Sequence, residues 1–267
     1  MCGQIGIIFG QKHRSRKEMD HFRMVFTHLL LLSEKRGPHA TGVAWLKQNG
    51  EHNISKRPGR AIDLVRDSTF YRFIAAVDSD VTWLAGHTRW QTRGDASNNR
   101  NNHPIRAGEV IGTHNGTITN ADSLFTHFRL PRSAEVDSEL LFRLAEAVLT
   151  EGCIDVTAFK ARLALCKGQV SAVMASLLNP QKVVLIKGNK PLYIRYNRSY
   201  HVVIYSSDAS YLDIALTDDR GWKPVGLKPM TIATFSCDDL KAMKFEPFEM
   251  ANSARADCCQ KIVEETI

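Results

Sequence analysis

No apolar run in this 267-residue chain approaches the roughly 18 residues that span a bilayer. The densest is four leucines at 29–32, followed at once by charge. The start lacks the basic-then-apolar pattern of a secretory signal, because residues 5–9 are too short for its apolar segment. These absences predict a cytoplasmic protein with no membrane partner. Cysteines are present (Cys2, Cys153, Cys166, Cys237, Cys258 and Cys259) but form no CxxC pair and no metal-ligand spacing. No Gly-rich phosphate loop occurs either, so neither a metal nor an organic cofactor is implied. In a cytosolic chain the cysteines read as reduced buried or tail residues. Repeats, low-complexity tracts and Pro/Ser-rich linkers are lacking before residue 237. One continuous domain is therefore predicted over 1–236, with a weakly patterned C-terminal extension at 237–267.

What is present is ordinary globular composition, 43% hydrophobic and 24% charged. The net charge of +7 permits a nucleic-acid partner. The basic residues are scattered, however, and the nearest approach to a cluster is "QKHRSRKE" at 11–18. A solvated basic surface is the preferred reading.

Ile5, Ile7 and Phe9 alternate along a first strand that carries Cys2 at its start. Met19, Phe22, Phe26, Leu29 and Leu30 fall at helical spacing, with Gly37-Pro38 as a stop. Two strands flank an Asn49-Gly50 hairpin turn. A helix is predicted around 60–76, then strands at "VTWLAGHT" and "GEVIGTHNG", a short helix after Asn120, and helices over 138–150 and about 155–167. Four apolar runs from 169 to 207 read as an antiparallel meander, followed by a helix at "DASYLDIAL" and a last strand at "MTIATFS". Two antiparallel sheets face to face, with helices outside, would bury this many apolar faces. The fold class is α+β, a four-layer α/β/β/α sandwich.

Four polar clusters sit where hydrophobic strands end: "RGPHATG" (36–42), "GHTRWQTRG" (86–94), "HNGTITN" (114–120) and "AEVDSELL" (134–141). Each has a bland reading. Gly37-Pro38 stops a helix, Asn115-Gly116 makes a hairpin turn, Asp137 caps the next helix, and Arg89-Trp90 forms a surface cation–π pair.

Cys2 shifts the balance. A thiol of ordinary pKa, near 8.5, is only a few per cent ionised at neutral pH and needs a base. If Met1 is removed, the new α-amino group, of pKa about 7.7–8.0, is substantially neutral and lies on the same residue as the sulfur. One residue then supplies nucleophile and base together. Asn115 and Gly116 can supply an oxyanion hole. Arg89 can hold a carboxylate bidentately, and Asp137 can hold an ammonium. The set describes a thiol opening the side-chain amide of an α-amino acid.

In order and approximate spacing, "MCGQIGI", "RGPHATG", "GHTRWQTRG", "NNHPI", "THNGTITN" and "AEVDSE" resemble the class II glutamine amidotransferases, members of the N-terminal nucleophile hydrolases. The likeness is nearest to the glutaminase domain of glucosamine-6-phosphate synthase and covers roughly residues 2–236. It implies that Cys2 attacks the γ-amide of L-glutamine, releasing ammonia and leaving a γ-glutamyl thioester for water to cleave. It implies Asn115 and Gly116 as the oxyanion hole, Arg89 and Thr92 at the α-carboxylate, and Asp137 at the α-amine. By the same likeness Trp90 covers the bound amino acid and Arg36 lines the site. His87, His103 and His114 match motif histidines that orient loops.

Two residues depart from the family pattern. His39 stands where an acidic residue is usual, and Arg93 where glucosamine enzymes often carry histidine. Only some 30 residues follow the glutaminase core, whereas the best-known members continue into a domain that uses the ammonia. The preferred expectation is a subunit feeding ammonia to a separate acceptor-binding synthase. The alternatives are a free-standing N-terminal nucleophile hydrolase acting on another amide, and a non-catalytic basic protein associated with nucleic acid.

Overall fold

The computed structural model describes residues 2–217 and 220–251. Two antiparallel sheets dominate it. The first runs in the order β13 (Trp222–Pro224), β11 (Tyr193–Asn197), β12 (Val202–Ser206), β1 (Gly3–Phe9), β4 (Val81–Arg89), β2 (Ala40–Lys47) and β3 (His52–Pro58). The second runs β15 (Asp239–Pro247), β14 (Thr231–Ser236), β10 (Lys182–Lys187), β9 (Gly168–Ser176), β6 (Val110–Ile118) and β5 (Ile105–Ala107). A small hairpin pairs β7 (Leu149–Thr150) with β8 (Cys153–Ile154). Helices α1 (Arg16–Ser33), α2 (Ala61–Val65), α3 (Ser68–Ala75) and α7 (Ala209–Ala215) cover the first sheet. Helices α4 (Ala121–His127), α5 (Ser138–Glu146) and α6 (Val156–Leu163) cover the second.

This is the expected α/β/β/α sandwich, and alternation along the strands explains it. Ile5, Ile7 and Phe9 of β1 pack toward the helices, while Ile8 joins Trp83, Val173, Val203 and Phe235 between the sheets. Each such side chain, fully buried, contributes about 1.5–3 kcal/mol. Within this core Trp83 Nε1 donates to the Tyr205 hydroxyl at 3.0 Å. With its amide oriented to suit its neighbours, Gln4 of β1 donates to Ser171 O of the other sheet and accepts from Val173 N. Outside, α1 opens with a capping box between Ser15 and Glu18.

Several element boundaries differ from the sequence reading. The helix predicted at 60–76 is two helices, because the Asp67 side chain accepts from Thr69 N and starts a new one. The helix predicted at 138–150 ends at Glu146, and Glu151 and Gly152, both with positive φ, turn a hairpin instead. The helix predicted to about 167 ends at Leu163. The supposed meander is two hairpins in different sheets, β9–β10 and β11–β12, with the chain crossing between sheets at 188–192. Strands buried on both faces give the same apolar run in either sheet, so periodicity could not locate the crossover. Beyond 236 the chain continues as β15, paired with β14, and buries Cys237, Leu240, Phe248 and Met250. An edge strand with several solvent-facing side chains carries little hydrophobic pattern. Cys258 and Cys259 lie outside the described residues. No helix among those described is long and apolar enough to cross a membrane.

Candidate active site

Cys2 immediately precedes β1, whose Gly3 pairs with Thr88 of β4. That register delivers the thiol to the end of β4, where Arg89 and Trp90 lie. Asn115 and Gly116 come from β6 in the other sheet, opposite Ser171 and Val170 of β9. The two sheets thus bring their polar ends together at one end of the sandwich, and the 188–192 crossover passes beside it. A cavity of about 190 Å3 lies there, lined by Cys2, Arg36, Trp90, Thr92, Asn115 and Gly116. Thr117, Gln169, Lys190 and Pro191 complete its wall. Its volume is below the roughly 300–1,000 Å3 of drug-sized ligand sites, which suits a molecule of amino-acid size.

The Trp90 peptide brackets the sulfur. Its N–H donates to Cys2 Sγ at 3.2 Å, and its carbonyl accepts from the thiol at 3.5 Å. Arg36 Nε donates to the Cys2 carbonyl at 3.0 Å. Burial pushes the thiol pKa up, opposed by the Trp90 N–H and by the charges of Arg89 and Arg36. The thiol is therefore held protonated and needs a proton acceptor when it attacks.

Three of the four bland readings do not describe the structure, and the fourth is incomplete. Asn115-Gly116 is not a turn; β6 runs straight through it. Asn115 Oδ1 accepts from His87 Nε2 at 3.1 Å, which leaves the Asn115 Nδ2 buried with no partner among the described residues. Gly116 has φ of 143°, and a Cβ there would fall 2.0 Å from the Gln169 carbonyl oxygen. Asp137 precedes α5 but makes no side-chain cap; its Oδ2 accepts from Ile118 N at 2.6 Å. Arg89 is buried and makes no surface pair with Trp90. Gly37 does more than stop α1: a Cβ would lie 2.4 Å from the Arg89 carbonyl carbon, so glycine lets this loop pack against the end of β4.

The three histidines are buried. His87 Nε2 donates to both His114 O and Asn115 Oδ1, and burial lowers its pKa to about 3. His103 lies with its ring 4.3 Å from that of His87, and burial holds it well below the ordinary histidine value. His114 Nε2 faces Gln169 O at 3.3 Å and Nδ1 faces Ser138 Oγ at 2.8 Å, so the hydroxyl donates to Nδ1. Burial lowers its pKa, with the Asp137 charge pulling the other way.

Arg89 and Asp137 stand outside the cavity lining. The Arg89 guanidinium bonds to Asn102 Oδ1, Arg93 O and Gly94 O. Burial lowers its pKa, countered by Cys2 and Asp137. Three of its five donors are thus engaged within the chain. Among the described residues, no cluster of three or more His, Cys, Asp or Glu side chains is placed to hold a metal ion.

No protein-family model matches the chain. Over 214 residues it is 30% identical to glutamine–fructose-6-phosphate aminotransferase (isomerizing) from Bacillus licheniformis, covering 78% of this chain and 32% of that protein. Over 216 residues it is 23% identical to 7-cyano-7-deazaguanine synthase from Saccharolobus solfataricus, covering 80% and 44%. Its fold matches glutamine phosphoribosylpyrophosphate amidotransferase from B. subtilis with a TM-score of 0.64 at 17% identity, over 93% of this chain and 49% of that one. By sequence and by fold, the chain is similar to glutamine amidotransferases. It spans about a third of the length of the first of these relatives.

Around the cavity, sequence reasoning missed Gln169, Thr117, Lys190 and Pro191. Thr117 adjoins the recognised motif but points to no chemistry by type. Gln169 is found only through register, being opposite Thr117 across β6 and β9. Lys190 and Pro191 lie on the crossover whose course the sequence did not reveal. Asn102, in the quoted "NNHPI", supports Arg89 directly.

Proposed function

We propose that this domain hydrolyses the side-chain amide of glutamine through Cys2 and passes the ammonia to a separate synthase. Removal of Met1 gives Cys2 a free amine, which takes the thiol proton as sulfur attacks the γ-carbonyl. The same amine returns the proton to the leaving ammonia. Water then cleaves the γ-glutamyl thioester to glutamate. Asn115 Nδ2 and the Gly116 N–H take the oxyanion. Arg89 and Thr92 take the α-carboxylate, Asp137 takes the α-amine, Arg36 lines the site and Trp90 covers it. His87, His103 and His114 remain neutral and hold the loops.

The observation that carries this reading is the Asn115 amide. Its oxygen is fixed by a neutral histidine, and its nitrogen remains a buried, unpartnered donor in a residue that shares a cavity wall with the thiol. A buried donor without a partner is costly and calls for an acceptor; a developing oxyanion is such an acceptor. The names of two relatives fit use of the released ammonia in a synthetic reaction. One is an aminotransferase and another a synthase, and both extend well beyond the length matched here.

Intact mass after incubation with a glutamine-analogue electrophile tests the reading. Met1 should be absent, with one adduct on Cys2 and none in Cys2→Ala. Full-length Met1 in the active protein, or an unmodified Cys2, would sink it.

A further inference from the structure

We infer that His39 and Arg93 are positioning residues that pin the 90–94 segment over the Cys2 cavity and thereby set the apparent affinity for glutamine without touching it. The inference rests on the glutaminase reading for its substrate, but its geometry stands independently.

His39 is presented from a fixed backbone. Its N–H donates to Arg89 O at 3.1 Å, and its carbonyl accepts from Gly59 N at 2.9 Å, both extending the ladders of β2. From there Nδ1 accepts the Gln91 N–H at 3.0 Å, and the ring packs on Trp90 at a centroid distance of 5.1 Å. On the other side, Arg93 Nη2 lies 3.0 Å from both carboxylate oxygens of Asp122 on α4. Arg132 joins the same carboxylate at 2.6 Å while its guanidinium covers Phe125. Between these two anchors, the carbonyls of Arg93 and Gly94 accept from Arg89.

The pinned segment begins at the Trp90 peptide, whose N–H and C=O hold the sulfur. The chain of contact therefore runs from His39 through Gln91 and Trp90 to Cys2. An exposed ion pair alone contributes little, so His39, with a backbone hydrogen bond and a ring contact, is the stronger anchor.

The experiment compares His39→Ala, His39→Asn and Asp122→Asn in the full chain, by steady-state glutamine hydrolysis, amide exchange at Gln91 and iodoacetamide labelling of Cys2. Asn offers an oxygen near the position of Nδ1. His39→Ala should raise KM about tenfold (about 1.4 kcal/mol) with kcat within about threefold, speed Gln91 exchange and speed Cys2 alkylation. His39→Asn should restore Gln91 protection and most of the KM. Asp122→Asn should raise KM by about threefold; the exposed side chain keeps this variant informative if His39→Ala does not fold. If wild-type protein fails to turn over glutamine while exchange and alkylation respond as described, the glutaminase reading falls and the pinning stands. Unchanged exchange, alkylation and KM in His39→Ala and Asp122→Asn would overturn the pinning, as would equal losses in His39→Ala and His39→Asn.

Discussion

His87 Nε2 stands 3.1 Å from Asn115 Oδ1, a buried contact that joins the two sheets and fixes which way the Asn115 amide faces. Because burial keeps His87 neutral, the imidazole has one N–H, and the oxygens of His114 and Asn115 share it. Nδ2 is then the only group Asn115 can offer an oxyanion. Asn115→Asp would place a second oxygen there. Removing one such donor costs about 10²–10³ in kcat, so a loss of that size is expected with KM changed little. Glutamate release under saturating glutamine measures it, and a kcat within about tenfold of wild type would exclude Asn115 from this role.

Different substitutions separate the observed contact of Asp137 from its proposed role in binding glutamine. Its Oδ2 accepts the buried Ile118 N–H at 2.6 Å, and its charge is assigned to the α-amine of glutamine. Asp137→Asn keeps an oxygen for Ile118 but removes the charge. It should raise KM by about 10–100-fold, the loss of a charge-assisted contact, while leaving the urea midpoint near wild type. Asp137→Ala should also lose about 1–3 kcal/mol of stability, because Ile118 N–H is left unpaired. Equal KM values for Asp137→Asn and wild type would remove Asp137 from substrate binding.

The layer architecture was legible because Ile5, Ile7 and Phe9 alternate and the α1 residues repeat at helical spacing, and both patterns survive folding. Of the cavity lining, Cys2, Arg36, Trp90, Thr92, Asn115 and Gly116 were legible by residue type, whereas Arg89 and Asp137, read the same way, lie outside it. Partners supplied by register were not. Gln169 reaches the cavity only because Thr117 pairs with it, and the Ile118 N–H that Asp137 accepts lies on β6, the strand next to β9. Neither contact leaves a periodic trace. His39 and Arg93 were visible as departures, but their shared role needed the three-dimensional course of the 90–94 segment.

Gly116→Ala should be among the more damaging single changes in the site. At φ of 143° an L-residue is strained, and its Cβ would meet the Gln169 carbonyl at 2.0 Å within the β6–β9 ladder. Backbone on both sides cannot yield cheaply. A loss of about 2–4 kcal/mol is expected, read from the urea midpoint. Gly226→Ala is the control. Nothing lies within 4 Å of a Cβ there, so a change within about 0.5 kcal/mol is expected. Equal stability of the two variants would show that the Gly116 geometry is relaxed.

The buried histidines make stability fall with acid in a window that the carboxylates do not share. Burial lowers the folded-state pKa of His87 to about 3, holds His103 well below its ordinary value and also lowers His114. The unfolded chain takes up these protons near pH 6.5 while the folded chain refuses them. Their contribution is therefore complete above pH 6.5 and declines as pH falls toward the folded values. His87 and His103 together amount to about 3 kcal/mol lost between pH 6.5 and 5, and His114 acts in the same direction. Asp67, Asp95 and Asp122 have lowered pKa values, so their contributions are lost only at lower pH. Lys56, lowered to about 8 by burial, adds no pH dependence until pH rises to about that value. Urea unfolding at pH 7, 6 and 5 should thus show a midpoint that drops steeply before the carboxylates titrate. A flat midpoint over this range would mean that the histidines beside Asn115 are charged or solvated in the folded protein, and His87 could not hold the amide by a single N–H.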